Sequence, residues 1–392
     1  MNSRSVFVLL LTIMLACSAH AAEIACTDQN ASACAEEGAA HAKTQNTLRI
    51  SLDNAKADIA DKLSGLQLSA FADVRSAYDD AGNHKLERGS VELNASGDFS
   101  HDLQGALAVV NSAEDTRVTV AVLDYHTFGG RIAPRGRLWV EKGFHLQLGR
   151  FDVPFGNDWQ FFPSKDSVSI SRPLTTDLIM EGGYNDEGIR MLGNNGSANF
   201  NLFLLRGFNA GRLLGGRLGI TPFSDPFSLK GAKEPKTFEF GLSCFYDGDM
   251  GWAKNETAFA ADAEIRLGAW ATKMEYLRRK KEAVLSEDSS VISGWHFTQE
   301  YAFAEAIAWP TTVFARYEQV SAHPAEIAAP GANAGDERDV RVAAGFSSNL
   351  GNGNVVLWKF EIQHYISATP STRELPGFGR GLFWFTQLVL VL

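Results

Sequence analysis

The stretch Phe259-Ala260-Ala261-Asp262-Ala263-Glu264-Ile265-Arg266-Leu267-Gly268-Ala269-Trp270 decides the fold. Phe259, Ala261, Ala263, Ile265 and Leu267 fall on one face of an extended chain, and Asp262, Glu264 and Arg266 fall on the other. A repeat of two is the period of a strand, because successive side chains point to opposite faces. Across Gly268 the apolar parity flips with almost no intervening chain, which predicts a tight hairpin turn. The pattern recurs outward in both directions. Leu68, Ala70, Ala72 and Val74 oppose Asp73 and Arg75; Phe238, Phe240, Leu242, Cys244 and Tyr246 oppose Glu239, Gly241 and Ser243. Val356, Trp358, Phe360 and Ile362 oppose Lys359, Glu361 and Gln363. Turn residues such as Asn194-Asn195-Gly196 and Asp247-Gly248-Asp249 punctuate the segments, and counting between residues 66 and 392 gives about 16 of them. The chain is all-β.

Composition bounds the function. The 392 residues are 45% hydrophobic and 21% charged, enough apolar material for a large folded body. The formal charge of −10 disfavours a general nucleic-acid binder, which needs a cationic field to displace counterions from phosphates. At the start, Arg4 precedes the apolar run Val6 to Cys17, and Ala19-His20-Ala21 supplies small residues for cleavage, so residues 1–21 read as a secretory signal. The run is shorter than the ~20 residues a membrane-spanning helix needs. A lipid-modified Cys17 fits the preceding Met14-Leu15-Ala16 less well than ordinary cleavage does. No later stretch approaches a membrane helix, so a membrane location requires a closed barrel, the other structure that satisfies every backbone polar group in lipid.

Residues 22–47 lack a sustained apolar period and read as a flexible leader. Leu48, Leu52, Ala55, Ile59, Leu63 and Leu66 recur at steps of four and three, which predicts a short periplasmic helix over 48–65, either packed on the main body or forming a coiled coil between copies. Cys26 and Cys34 are close enough to form a small disulfide loop in an oxidising compartment, and Cys244 is left over. With no CxxC and no nearby paired histidines, no metal site is expected, and no cofactor is implied.

A soluble sandwich also alternates. The barrel is favoured because the ionisable residues sit on the face opposite Phe, Trp, Leu and Ala, as when lipid lies outside and water inside. Aromatics such as Trp139, Trp159, Phe161, Phe162, Trp270, Trp295, Trp309 and Trp384 fall near strand ends, suiting interfacial girdles. The chain also stops inside the strand Leu382 to Leu392, an exposed edge unless closed against the first strand.

The run Leu146-Gln147-Leu148-Gly149-Arg150-Phe151-Asp152-Val153-Pro154-Phe155-Gly156, then Ser171-Arg172-Pro173-Leu174-Thr175-Thr176 and Asn185-Asp186-Glu187-Gly188-Ile189-Arg190, resembles the outer-membrane porins of the phosphate-selective O and P type. The turn Leu267 to Tyr276 and the late Thr386-Gln387 add to the resemblance, which covers most of residues 66–392. It implies a 16-stranded trimeric channel of the Gram-negative outer membrane, passing small anionic solutes through a narrowed lumen. The chain departs from the family pattern in ending on Leu392 rather than an aromatic residue, and in its acidic balance.

A pore selects by width and by wall charge, so no catalytic residue is expected. At lumen-facing parity lie Asp73, Arg75, Asp262, Glu264, Arg266, Arg316, Glu318, Arg341, Lys359 and Glu361, each a pore-lining candidate or one half of a wall salt bridge. Arg316 and Arg266 are the foremost candidates for solute contact, since guanidinium forks suit carboxylate or phosphate oxygens. The longest segment without clear alternation runs from Phe151 to Glu187 and carries Asp158, Lys165, Asp166, Arg172 and Asp177. It is either a constriction loop folded into the lumen or an external lid. Gly211-Arg212-Leu213-Leu214-Gly215-Gly216-Arg217-Leu218-Gly219 reads as a turn, because it lacks phosphate-loop spacing. The run Arg278-Arg279-Lys280-Lys281 reads as a solvated loop, alternatively one meeting lipopolysaccharide phosphates. The partners expected are outer-membrane lipid, small solutes in transit and copies of the chain. The rival functions are a barrel hydrolase, for which His145, His296 and His364 lack a recognisable nucleophile, and a structural or adhesive surface barrel.

Overall fold

In a computed structural model the described residues are 66–392 without 81, 113–114, 129–141, 162, 182, 208–211, 222–237, 249–254, 283–288, 304–308, 324–336, 351–355 and 368–380. The signal, the leader with Cys26 and Cys34, the helix of 48–65 and Trp139 lie outside them. The chain runs as β1 (Gln67–Asp79), β2 (His84–Ser100), β3 (Leu103–Asn111), β4 (Thr116–Phe128), β5 (Gly143–Asp152), β6 (Asn185–Asn194), β7 (Ala198–Leu205) and β8 (Arg212–Ile220). It continues as β9 (Phe238–Gly248), β10 (Glu256–Leu267), β11 (Trp270–Glu282), β12 (Ser289–Phe303), β13 (Thr311–His323), β14 (Glu337–Asn349), β15 (Val356–Ser367) and β16 (Gly381–Val391). Each strand pairs antiparallel with its sequence neighbours, and the sheet closes as β16 meets β1.

The closing seam pairs Phe71 with Val391 through to Asp79 with Phe383, and beyond it Ala70 and Leu392 exchange backbone hydrogen bonds of 3.0 and 2.8 Å. Among the described strands no edge is left to pair with another chain. The alternation that built the strands now separates two environments. Leu86, Leu148, Leu218 and Leu242 are exposed on the outside, whereas Gln147, Glu239 and Ser243 are buried inside. An apolar exterior around a polar interior inverts the soluble arrangement and suits lipid. Between β10 and β11 the turn is Gly268-Ala269, with Gly268 at φ +58, a left-handed conformation that a side chain would strain.

Three local expectations are corrected. Residues 212–219 of the glycine-rich run expected to be a turn lie in strand β8, paired with β7 and β9. Its glycines hid an intact alternation, with Leu213 and Arg217 inward and Leu214, Leu218 and Ile220 outward. The basic run 278–281 belongs to β11 rather than to a loop, so Arg279 turns inward to Glu256 at 2.6 Å while Arg278 faces out. Trp159 is not in a girdle: it is buried on the segment between β5 and β6, whereas Trp270, Trp295 and Trp309 are exposed.

At β2 the strand pairing with β1 shifts register opposite Ala72 and Val74, and the Asp73 carboxylate lies against Gly89. A Cβ there would sit 1.7 Å from Asp73 Oδ1. Gly89→Ala is therefore expected to destabilise the barrel by about 1–3 kcal/mol, the usual cost of overpacking, read as a lower urea midpoint in detergent micelles.

Candidate functional site

Residues 153–184 connect β5 to β6, slightly shorter than the stretch of weak alternation because Phe151, Asp152 and residues 185–187 belong to the strands. Val153 N–H donates to Tyr184 C=O at 2.9 Å and closes the base of this connection. Beyond it the chain carries a short 3₁₀ turn (Asp158–Phe161) and a single π-type turn (Thr175–Ile179). Irregular backbone of this kind has few partners of its own, and at membrane depth it is tolerated only where protein or a watery cavity satisfies it.

The inward side chains of the strands supply those partners. Asn157 N–H donates to Glu275 Oε1 on β11 at 2.6 Å, and Gly156 N–H to Ser243 Oγ on β9 at 3.1 Å. Leu174 N–H donates to Glu318 on β13, and Ile170 and Ser171 N–H share Glu361 Oε2 on β15 at 2.6 and 2.9 Å. Cations meet the carbonyls: Lys359 Nζ donates to Ser167 C=O at 2.6 Å, Arg279 Nη1 to Ile179 C=O at 2.9 Å, and Arg341 Nη2 to Arg172 C=O at 2.5 Å. Ser164 Oγ reaches Asp73 Oδ2 at 2.9 Å, and the Thr175 hydroxyl lies 2.9 Å from His296 Nδ1. The connection thus runs along the inner wall, held from β1, β9 and β11 to β15.

This arrangement sorts the sequence candidates. Asp73, Glu318, Lys359 and Glu361 point inward but are covered by the inner segment. Arg316 differs from its expected role in solute contact, because its guanidinium is engaged by Glu318, Ser169 Oγ at 3.1 Å and Ser171 Oγ at 2.7 Å. Asp262 is paired with Arg217 at 2.6 Å, and Arg266 with Glu264 at 3.0 Å. On the segment, Lys165 pairs with its neighbour Asp166 at 2.8 Å, and Asp158 accepts from Thr176 Oγ1 at 2.8 Å.

Arg75, Arg172 and Asp177 remain beside open space, with the buried Arg341 at its margin. They line a cavity of about 500 Å³ between the inner segment and the wall of β1, β2 and β14 to β16. Lys85, Glu87, Asp79 and His84 complete its charged lining, giving four cations of Lys or Arg type against three carboxylates. Glu87 bridges Arg75 and Lys85. Lys85 and Glu87 were not singled out from sequence, although their alternation with Leu86 carried the signal. Arg217 was missed because it sat in the glycine-rich run. Asp177 is half-buried, and burial pushes its carboxyl above the usual range, against the pull of Arg341 and Arg172. Asp158 is raised by burial in the same way, opposed by Arg172. Burial also acts on Glu181, but its bond to Lys281 and the nearby Arg279 charge hold it below the usual range.

No protein-family model matches the chain, and no curated protein matches it in sequence. Similar solved structures share the fold. An anion-selective porin from Comamonas acidovorans aligns at 13% identity and TM-score 0.57, over 83% of this chain and 98% of that one. OmpF of Salmonella typhi, in complex with daunomycin, aligns at 10% identity and TM-score 0.58 over 83% and 97%. The trimer form of OmpT, an outer membrane protein of Vibrio cholerae, aligns at 11% identity and TM-score 0.57 over 83% and 99%.

The raised Asp177 carboxyl sets an expectation for pH. A group titrating above the usual ~3.9 takes up its proton early on acidification, which makes the cavity more positive. Ion selectivity measured in planar bilayers should move toward anions at a higher pH than ordinary carboxylates would produce. Asp177→Asn should remove that early component; a variant that titrates like the parent would overturn the assignment.

Proposed function

We propose that this chain is a passive diffusion channel of the outer membrane for small polar or anionic solutes, including phosphate-like ones. The observation that carries the reading is the cavity beside the inner segment, where Arg75, Lys85, Arg172 and Arg341 face Asp79, Glu87 and Asp177. Opposed charges across a narrow space create a transverse field that orders water and favours polar solutes. Arg341 is offset by Glu318 at 2.9 Å, so the local attraction for anions comes from Arg75, Lys85 and Arg172, despite the net charge of −10 on the whole chain.

Arg172 is the foremost solute contact in this reading. It stands on the inner segment, and its planar fork matches carboxylate and phosphate oxygens. Arg75 and Lys85 share Glu87, which limits how strongly either holds an anion and keeps transit fast. Release matters as much as capture in a conducting pore. Segment 153–184 acts as the constriction, carrying Asp158, Lys165 and Asp166, with the Asp158–Thr176 bond bracing it.

The first 21 residues direct export and are removed, and the body assembles as a homotrimer in the Gram-negative outer membrane. Arg278 and Lys280, outward on β11 at the end opposite the start of β1 and the close of β16, suit the phosphates of lipopolysaccharide.

The deciding measurement is conductance and reversal potential of purified protein in a planar bilayer under a KCl gradient, with phosphate as competitor. Stepwise conductance, anion preference and phosphate block are expected. Arg172→Ala should weaken the block by about tenfold, the scale of one charge-assisted hydrogen bond. Cation-selective steps would overturn the anionic preference, and no conductance from folded protein would overturn the channel itself.

A further inference from the structure

Asp124 and His126 lie on β4, and both point inward, because the intervening Tyr125 and the preceding Leu123 are exposed on the outside. His145 lies on β5 directly across the ladder from His126. Nineteen positions separate the two histidines in sequence, so no spacing motif announces them; the antiparallel register puts them side by side. Their ring centroids are 5.4 Å apart. All three side chains are buried: Asp124 is 1% exposed, His126 6% and His145 5%.

The donor atoms converge. Asp124 Oδ2 lies 2.9 Å from His145 Nδ1 and 3.3 Å from His126 Nδ1, and one ligand atom from each residue falls within 4.8 Å of the others. Ligands held about 2.0–2.1 Å from one zinc ion in a tetrahedron stand roughly 3.3 Å apart, so the two separations from Asp124 need little adjustment. A purely hydrogen-bonded cluster is the competing explanation, and it leaves a deficit. His145 Nδ1 bonds Asp124 Oδ2, whereas His126 Nδ1 approaches that oxygen only at 3.3 Å and without hydrogen-bond geometry, and Asp124 Oδ1 is buried with no hydrogen-bond partner among the described residues. Buried polar atoms are nearly always satisfied, and a carboxylate oxygen and an imidazole nitrogen left over in one cluster suit a shared cation.

We infer that Asp124, His126 and His145 form a binding site for a divalent transition-metal cation of zinc type on the inner wall of the barrel. Two imidazoles with one carboxylate select borderline cations such as Zn²⁺ over the oxygen-seeking Mg²⁺ and Ca²⁺. Gln147, which pairs with Asp124 in the ladder, accepts from Arg190 Nε at 2.9 Å. Three protein ligands leave a coordination position for water or for an oxygen of a solute. The site shares no residue with the cavity beside the inner segment, so it stands apart from the diffusion reading.

The test uses tag-free, full-length protein stripped with EDTA and titrated in detergent with ZnCl₂ by calorimetry. CoCl₂ is used in parallel, so that visible absorption reports nitrogen and oxygen ligation. One equivalent of Zn²⁺ should bind, and Mg²⁺ or Ca²⁺ should not displace it. His126→Gln and His145→Gln should each weaken binding by more than about tenfold, since even indirect partners of metal ligands are worth about 10–100-fold. His101→Gln, on the exposed β2–β3 turn, should leave it unchanged. Circular dichroism and heat-modifiable gel mobility check that each variant folds. If the histidine variants do not fold, the Co²⁺ spectrum of the parent protein decides. The inference is overturned if the parent shows no stoichiometric Zn²⁺ binding or no ligand-field absorption, or if folded double-histidine variants bind as tightly as the parent.

Discussion

The seam between β1 and β16 is the contact on which the rest of this structure depends. Nine residue pairs, from Phe71 with Val391 to Asp79 with Phe383, turn a sixteen-strand ribbon into a surface with an inside. Closure satisfies the two edges, and it also confines every inward side chain to a space that outward residues cannot enter. Charges that would have been solvated on an open sheet must then find partners across the lumen or on whatever enters it.

What enters it is the connection between β5 and β6. Its backbone is irregular, so its amides and carbonyls need external partners, and the wall meets both needs with opposite charges. Glu275, Glu318 and Glu361 accept from amides, whereas Lys359, Arg279 and Arg341 donate to carbonyls. Buried pairs of this kind add little net stability, because desolvation offsets attraction. Their effect is positional: they hold the segment against one arc of the wall and leave the gap beside β1, β2 and β14 to β16. The charges that brace the segment are therefore largely distinct from those that face the gap, and among the described wall cations Arg341 serves both.

Inward parity by itself did not separate these roles. Arg316 and Arg75 are both inward arginines with an acidic partner, yet one is 3% exposed beneath the segment and the other borders the cavity. The difference lies in where residues 164–174 run, a long-range matter that no local period encodes. The same holds for Arg217, whose strand was masked by glycines that lower apolar contrast without disturbing the ladder, and for His126 with His145, which only register brings together.

The sequence by itself determined the period-two alternation, the hairpin at Gly268, the number of segments and the need to close the final strand, because each is set by steric and hydropathic rules acting over a few residues. It also determined which side chains point inward along most strands. The tertiary structure alone decided which inward charges meet each other, which are covered by segment 153–184, and which remain at the cavity. Those outcomes depend on strand order, register and the path of one irregular connection, and these are fixed by satisfying buried polar groups across the whole circumference at once.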